Sequence, residues 1–116
     1  MNSRANPTWK ISYHEEYLKD KQEFDSHVIQ LIEQKEIFIQ TFPLSNPPLK
    51  YKPYSERFIR KYKSGKIRIF YILSTERPDL WKVIPQENEI RFLLIKIRGD
   101  DTYEDAKKML KREEII

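Results

Sequence analysis

Between Lys50 and Arg68 the chain carries Lys50, Lys52, Arg57, Arg60, Lys61, Lys63, Lys66 and Arg68 against a single acid, Glu56. Eight cations minus one carboxylate give +7, more than the +4 of the whole 116-residue protein, so the remainder of the chain is net acidic and the molecule is electrically polarised. A concentrated positive surface is the footprint of a phosphate-rich partner. Tyr51, Tyr54, Phe58, Tyr62, Phe70 and Tyr71 interleave with these cations, and rings beside Lys and Arg can stack on unpaired bases. Strands favour aromatic residues for packing reasons as well, and an acidic protein would use the same patch. Zero cysteines exclude disulfides, thiol nucleophiles and Cys-ligated zinc, and two histidines, His14 and His27, are too few for an all-His zinc site. The chemistry on offer is therefore cationic recognition of phosphate, with no metal and no cofactor.

The elements that must position these residues follow from periodicity. Trp9, Ile11 and Tyr13 alternate with Lys10 and Ser12, which predicts a short first strand. From Glu15 to Gln40 the apolar residues Tyr17, Leu18, Phe24, Val28, Leu31, Ile32 and Phe38 recur at helical spacing, and either Asp25 or Ser26 can cap a new start, so two helices in a hairpin are expected. The prolines of Pro43 to Pro48 end the helical half. Strands are then predicted over Arg57 to Tyr62, Lys66 to Leu73, Trp81 to Ile84 and Glu89 to Ile97. Turn signals lie at Ser64-Gly65, Arg77-Pro78-Asp79 and Pro85 to Asn88, and connections this short imply antiparallel pairing. Thr102-Tyr103-Glu104-Asp105 reads as a capping box opening a last helix with Ala106, Met109 and Leu110 inside. The order is strand, helical hairpin, antiparallel meander of about four strands and C-terminal helix, an α+β fold of one sheet and its helices.

Strand parity places Ile67, Ile69, Tyr71 and Leu73 on one face and Lys66, Arg68, Phe70 and Ile72 on the other. On the last strand it places Leu93, Ile95 and Ile97 together, and Phe92, Leu94, Lys96 and Arg98 opposite them. If these strands are neighbours, Lys66 or Arg68 converges with Lys96 and Arg98. Cations gathered on a sheet face repel one another, which an anionic ligand explains better than stability does.

The run Arg60-Lys61-Tyr62-Lys63-Ser64-Gly65-Lys66-Ile67-Arg68-Ile69-Phe70-Tyr71, with Phe92 to Arg98 and the following Tyr103, resembles the RelE/ParE toxin superfamily, and the resemblance spans about Trp9 to Leu110. It implies one RelE-like domain over residues 1–116 and, for RelE-type members, ribosome-dependent endonucleolytic cleavage of messenger RNA. In that reaction the 2'-hydroxyl of the message attacks the adjacent phosphate and the 5'-oxygen leaves, which needs a base, cations and a proton donor but neither metal nor histidine. By resemblance Arg68 stabilises the phosphate charge, Arg98 is the basic residue closing the last strand, and Tyr103 orients or deprotonates the hydroxyl. Arg60 matches a basic position of the preceding strand, with Lys61 or Lys63 in its place if the register slips. Lys61, Lys63, Lys66, Lys96 and Arg57 are the expected RNA contacts.

The partners so implied are a cognate antitoxin, in a toxin–antitoxin hetero-oligomer, and the ribosome with its message. A non-enzymatic ParE-like or orphan module that binds a protein target, and an RNA-binding accessory protein, remain open alternatives. Apolar runs such as Phe92 to Ile95 are far short of the roughly 18–20 residues of a membrane helix, so a cytoplasmic location without membrane contact is expected.

Overall fold

The structure is a computed structural model that describes residues 9–50, 52, 54–99 and 102–116. Tyr51, one of the rings interleaved with the cations, lies outside the described residues. The elements run β1 (Lys10–Tyr13), α1 (Glu15–Gln22), α2 (Ser26–Thr41), β2 (Arg60–Ser64), β3 (Ile67–Leu73), β4 (Glu89–Ile97) and α3 (Thr102–Arg112). His14 turns the chain from strand into helix: its N–H donates to the Phe92 carbonyl at 2.8 Å, and its Nδ1 accepts the Glu16 N–H at 3.1 Å as the N-cap of α1. At the break between the helices it is Asp25 that caps, accepting the Val28 N–H at 3.0 Å.

The two helices are joined through Glu36, a carboxylate buried on α2. Tyr17 donates to it at 2.6 Å, Tyr13 at 3.0 Å and the Lys21 ammonium at 3.1 Å. Burial first, and then the Glu36 charge, push both phenols well above the ordinary tyrosine value. The hairpin expected from the sequence is therefore clamped by a charge whose acceptor sites face three donors.

The sheet order is β1-β4-β3-β2. The β2–β3 and β3–β4 pairs are antiparallel as expected, but β1 lies parallel to β4, so the sheet is mixed. Two helices and two strands separate β1 from β4, long enough for the crossover that a parallel pair requires. A second correction concerns residues 81–84, which form no strand. Because β3 and β4 pair directly there is no gap for them, and Val83 and Ile84 stand 80% and 73% exposed. Trp81 instead folds back, its indole N–H donating to Glu89 Oε2 at 2.7 Å while the Arg91 guanidinium lies 4.1 Å from its ring centroid. Arg57 also falls outside the sheet: Ser55–Arg57 is a single 3-10 turn, Phe58 takes a left-handed φ of 53°, and pairing begins only at Arg60.

Both faces of the sheet are covered. On one, Tyr17, Ile32 and Ile39 of the helical hairpin pack on Ile69, Tyr71, Ile90, Phe92 and Ile95. On the other, Ala106, Met109 and Leu110 of α3 pack on Phe70, Ile72, Leu93 and Leu94. Leu93 and Leu94 face the same side because the β3–β4 register slips at Phe70/Tyr71: Phe70 pairs with Leu94 and Tyr71 with Phe92. The parity expected for the last strand is corrected at this bulge, since one extra residue inverts every side chain beyond it. Past β1 the open edge of β4 is covered by α1, where Asp20 accepts the Ile95 N–H at 2.9 Å. Among the described residues, no helix is long and apolar enough to cross a membrane.

Candidate nucleic-acid interface

The β2–β3 hairpin turns at Gly65, whose φ of +57° is a left-handed conformation that glycine adopts without a Cβ penalty. This turn sets the register that carries the cations. Lys63 pairs with Arg68, and Arg68 with Lys96, so three cations from three strands lie on one rung. Residues on a rung share a face, and like charges there repel. Beyond the rung the Arg98 N–H donates to the Lys66 carbonyl at 2.6 Å, which brings those two exposed residues to the same end of the sheet. The convergence expected of Lys66, Arg68, Lys96 and Arg98 is present.

Tyr103 reaches this face from the first turn of α3. Thr102 Oγ1 accepts the Gly99 N–H at 2.6 Å and lies 3.0 Å from the Ile97 carbonyl, tying the start of the helix to the end of β4. Tyr54 donates to the Tyr103 carbonyl at 2.5 Å, and the Tyr103 ring meets Phe70 edge-on at 6.2 Å. So fixed, the Tyr103 hydroxyl accepts a hydrogen bond from Lys61 Nζ at 2.7 Å, with the ammonium 5.2 Å from the ring centroid. Burial raises the phenol's pKa, but the Lys61 ammonium, with Arg68 beyond it, outweighs burial and holds the phenol below the ordinary tyrosine value.

The predicted site residues thus fall into three groups. Lys61, Lys63, Lys66, Lys96, Arg98 and Tyr103 gather at one end of the sheet. Arg68 is with them but only 3% exposed: its Nη1 donates to the carbonyls of Gly65 at 2.6 Å and Ile67 at 3.1 Å, and its Nε has no partner among the described residues. It supplies charge from beneath the surface. Arg60 and Arg57 stand apart. Arg60 pairs with Tyr71, three rungs from the Lys63–Arg68 pair and on the hairpin-covered face, and is only 7% exposed. Its guanidinium forks onto Glu76 at 2.9 and 2.6 Å and donates to the Asn46 carbonyl at 2.6 Å, and the Glu76 hydrogen bond raises its pKa further. Arg57 is exposed on its 3-10 turn, with its carbonyl accepting from Arg77.

Sequence reasoning missed the carboxylates that decide which cations stay free. Glu76 neutralises Arg60, and Asp20 lies 3.9 Å from Lys96. It also missed Arg77, a buried guanidinium that binds Asp79 and the carbonyls of Arg57 and Ile115, locking the segment after β3 to the C-terminus. No local pattern marks such partners, and Arg77 was legible only as part of a turn. Among the described residues no group of three or more His, Asp or Glu side chains could hold a metal ion.

No protein-family model matches the sequence, and no curated protein matches it. Solved structures do. The chain is similar to the toxin–antitoxin complex RelBE2 of Mycobacterium tuberculosis, with a TM-score of 0.61 at 12% identity over 84% of this chain and 100% of that one. It is also similar to the isolated E. coli RelE toxin, with a TM-score of 0.53 at 15% identity over 88% of this chain and 98% of the other. The protein has a RelE-like fold, as its sequence order implied.

Proposed function

We propose that this protein is the toxin of a type II toxin–antitoxin pair and acts as a ribosome-dependent messenger RNA endonuclease. The observation that carries the reading is the Lys61–Tyr103 contact, a phenol made more acidic by an adjacent ammonium on a basic face. As phenolate, Tyr103 accepts the proton of the attacking 2'-hydroxyl. The 2'-oxygen bonds to phosphorus, the bond to the 5'-oxygen breaks, and the products are a 2',3'-cyclic phosphate and a 5'-hydroxyl. Lys61, beside the phenol, is placed to offset charge on the phosphoryl oxygens, and the exposed Arg98 is the candidate for stabilising the charge on the leaving oxygen, which takes its proton from solvent water. Lys63 and Lys66 hold flanking phosphates, while Lys96 is held by Asp20. Arg68 acts through Tyr103 from below, Arg60 has a structural rather than a chemical role, and the exposed Arg57 is left as an outlying RNA contact.

Neutralisation by an antitoxin that covers the basic face fits this scheme, and RelBE2, one of the similar structures, is a toxin–antitoxin complex. The same fold, the ribosome as site of action and a cytoplasmic location belong to one reading. The burial of Arg60 and Arg68 favours a second: a RelE-fold module that binds RNA or a protein target without cutting.

Inducible expression in a bacterial host, with wild type beside Tyr103→Phe and Lys61→Met and with message 5' ends mapped, separates them. Arrest with new ends in translated messages, lost in both variants, is the expected result. Arrest without new ends, or arrest that survives both substitutions, overturns the nuclease reading in favour of binding alone.

A further inference from the structure

Residues 47–49 run beside β2 as a partial fifth strand. Pro48 pairs with Arg60 across an isolated antiparallel bridge, the Leu49 N–H donates to the Ile59 carbonyl at 2.9 Å, and Arg60 Nη1 holds the Asn46 carbonyl at 2.6 Å. The Arg60–Glu76 pair therefore stiffens this segment from behind. On its outer side is a groove of about 330 Å³ lined by Pro47, Pro48, Leu49, Lys50 and Lys61.

The chemistry of that lining is selective. Pro47 and Pro48 have no N–H to offer, so the segment cannot present the row of donors that an incoming peptide strand would pair with. What it presents is a run of apolar ring and side-chain surface with two ammonium groups at its rim. A flat apolar ligand attached to negative charge fits, and an unpaired nucleotide is both. The volume lies at the lower end of the roughly 300–1,000 Å³ of small-ligand clefts, room for one nucleotide and no more. Lys61 is at once a wall of the groove and the donor to Tyr103, so the occupant lies next to the phenol.

We propose that this groove is a nucleotide subsite that takes one unpaired base of single-stranded RNA against Pro47 and Pro48, with the adjoining phosphates on Lys50 and Lys61. The ligand class rests on the RNA reading of the basic face; the subsite itself does not depend on cleavage.

The test compares two synthetic hexanucleotides with equal phosphate number, oligoadenylate and an all-abasic ribose-phosphate strand, titrated into the full-length protein at low salt and followed by fluorescence anisotropy and amide NMR shifts. The wild type is expected to bind oligoadenylate about fivefold or more tighter than the abasic strand, the scale of one stacked base, with the largest shifts at Leu49, Lys50 and Lys61. Pro47→Ala narrows that difference, and Pro47→Trp, which enlarges the stacking face at an exposed position, widens it. Equal affinity for the two strands, no RNA binding, or shifts confined to other surfaces overturns the subsite. Groove shifts produced only by an acidic peptide, and not by RNA, overturn it in favour of a protein partner. Base-selective binding with no message cleavage in cells removes the nuclease reading and leaves the subsite standing, whereas cleavage with equal affinities does the reverse.

Discussion

Lys61 and Tyr103 lie 42 positions apart in sequence, yet the lysine ammonium donates to the tyrosine hydroxyl at 2.7 Å. The contact is made because β2 and the first turn of α3 both press on Phe70: Lys61 is its register partner, and the Tyr103 ring packs edge-on against it. A cation at this distance changes what the phenol can do, stabilising the phenolate against the cost of burial.

The pH dependence of cleavage follows from the sign of that shift. The active form is the phenolate, so the rate is expected to rise with pH through an inflection that lies below the ordinary tyrosine value. Lys61→Met removes the dominant cation and leaves the burial, moving the inflection upward. Ultraviolet titration of wild type minus Tyr103→Phe isolates the phenol from Tyr13, Tyr17, Tyr54 and Tyr71, all of which burial pushes up. A difference curve centred at or above 10 would remove the basis for Tyr103 as base. Loss of a positioned base is expected to slow cleavage by about 10²–10⁴-fold.

Arg60 and Arg68, both picked out by the sequence, are expected to respond oppositely to removal. Arg60→Met strands Glu76 and frees the Asn46 carbonyl, for a cost of about 2–4 kcal/mol in urea or thermal unfolding, and Arg60→Met with Glu76→Gln recovers part of it. Among the described residues Arg68 has no carboxylate partner and an orphaned Nε, so Arg68→Met removes a buried charge along with its two carbonyl contacts and is expected to alter stability by less than about 1 kcal/mol. If Arg68→Met unfolded as readily as Arg60→Met, the guanidinium would be there for stability and not for the phenol.

The Glu36 clamp gives a third expectation. Glu36→Ala leaves the Tyr17 hydroxyl and Lys21 ammonium without their shared acceptor, and a loss of about 2–4 kcal/mol is expected on chemical denaturation. Asp25→Ala, which removes only an exposed cap, is expected to cost about 1 kcal/mol. Equal effects of the two substitutions would contradict the clamp.

Arg77→Ala detaches the segment after β3 from the C-terminus by removing hydrogen bonds to the Arg57 and Ile115 carbonyls. Amide hydrogen exchange is expected to quicken around residues 74–88 and 113–116 while β3 and β4 stay protected. Uniform protection across the variant would show that the buckle is dispensable.

Much of the architecture was legible because it is written locally. The 3.6-residue spacing from Tyr17 to Phe38, the cap at Asp25, the glycine turn between Lys63 and Arg68 and the helix opening at Thr102 each depend on neighbours in sequence, although the Thr102 hydroxyl bonds back to Gly99 and Ile97 instead of forming the expected capping box. The same is true of the basic run itself, since charge density needs no fold to be counted. The strand expected at residues 81–84 failed because Trp81 found a better partner in Glu89 and Arg91 than any strand edge offered. The parallel β1 was likewise beyond reach, since strand order is fixed by which apolar faces can be buried together.

The sequence alone determined the helical hairpin, the β2–β3 hairpin, a strand over Glu89 to Ile97, the closing helix and a positive stretch rich in aromatic residues. Only the tertiary structure decided which of those cations are free to act. Glu76 holds Arg60 against a loop, Arg68 is buried against the Gly65 and Ile67 carbonyls, Asp20 partners Lys96, and the bulge at Phe70/Tyr71 sets which β4 residues share the rung with Arg68. Each is a long-range relation between groups that meet only when the sheet is covered on both faces, and electrostatic interactions depend on that separation and burial, not on distance along the chain.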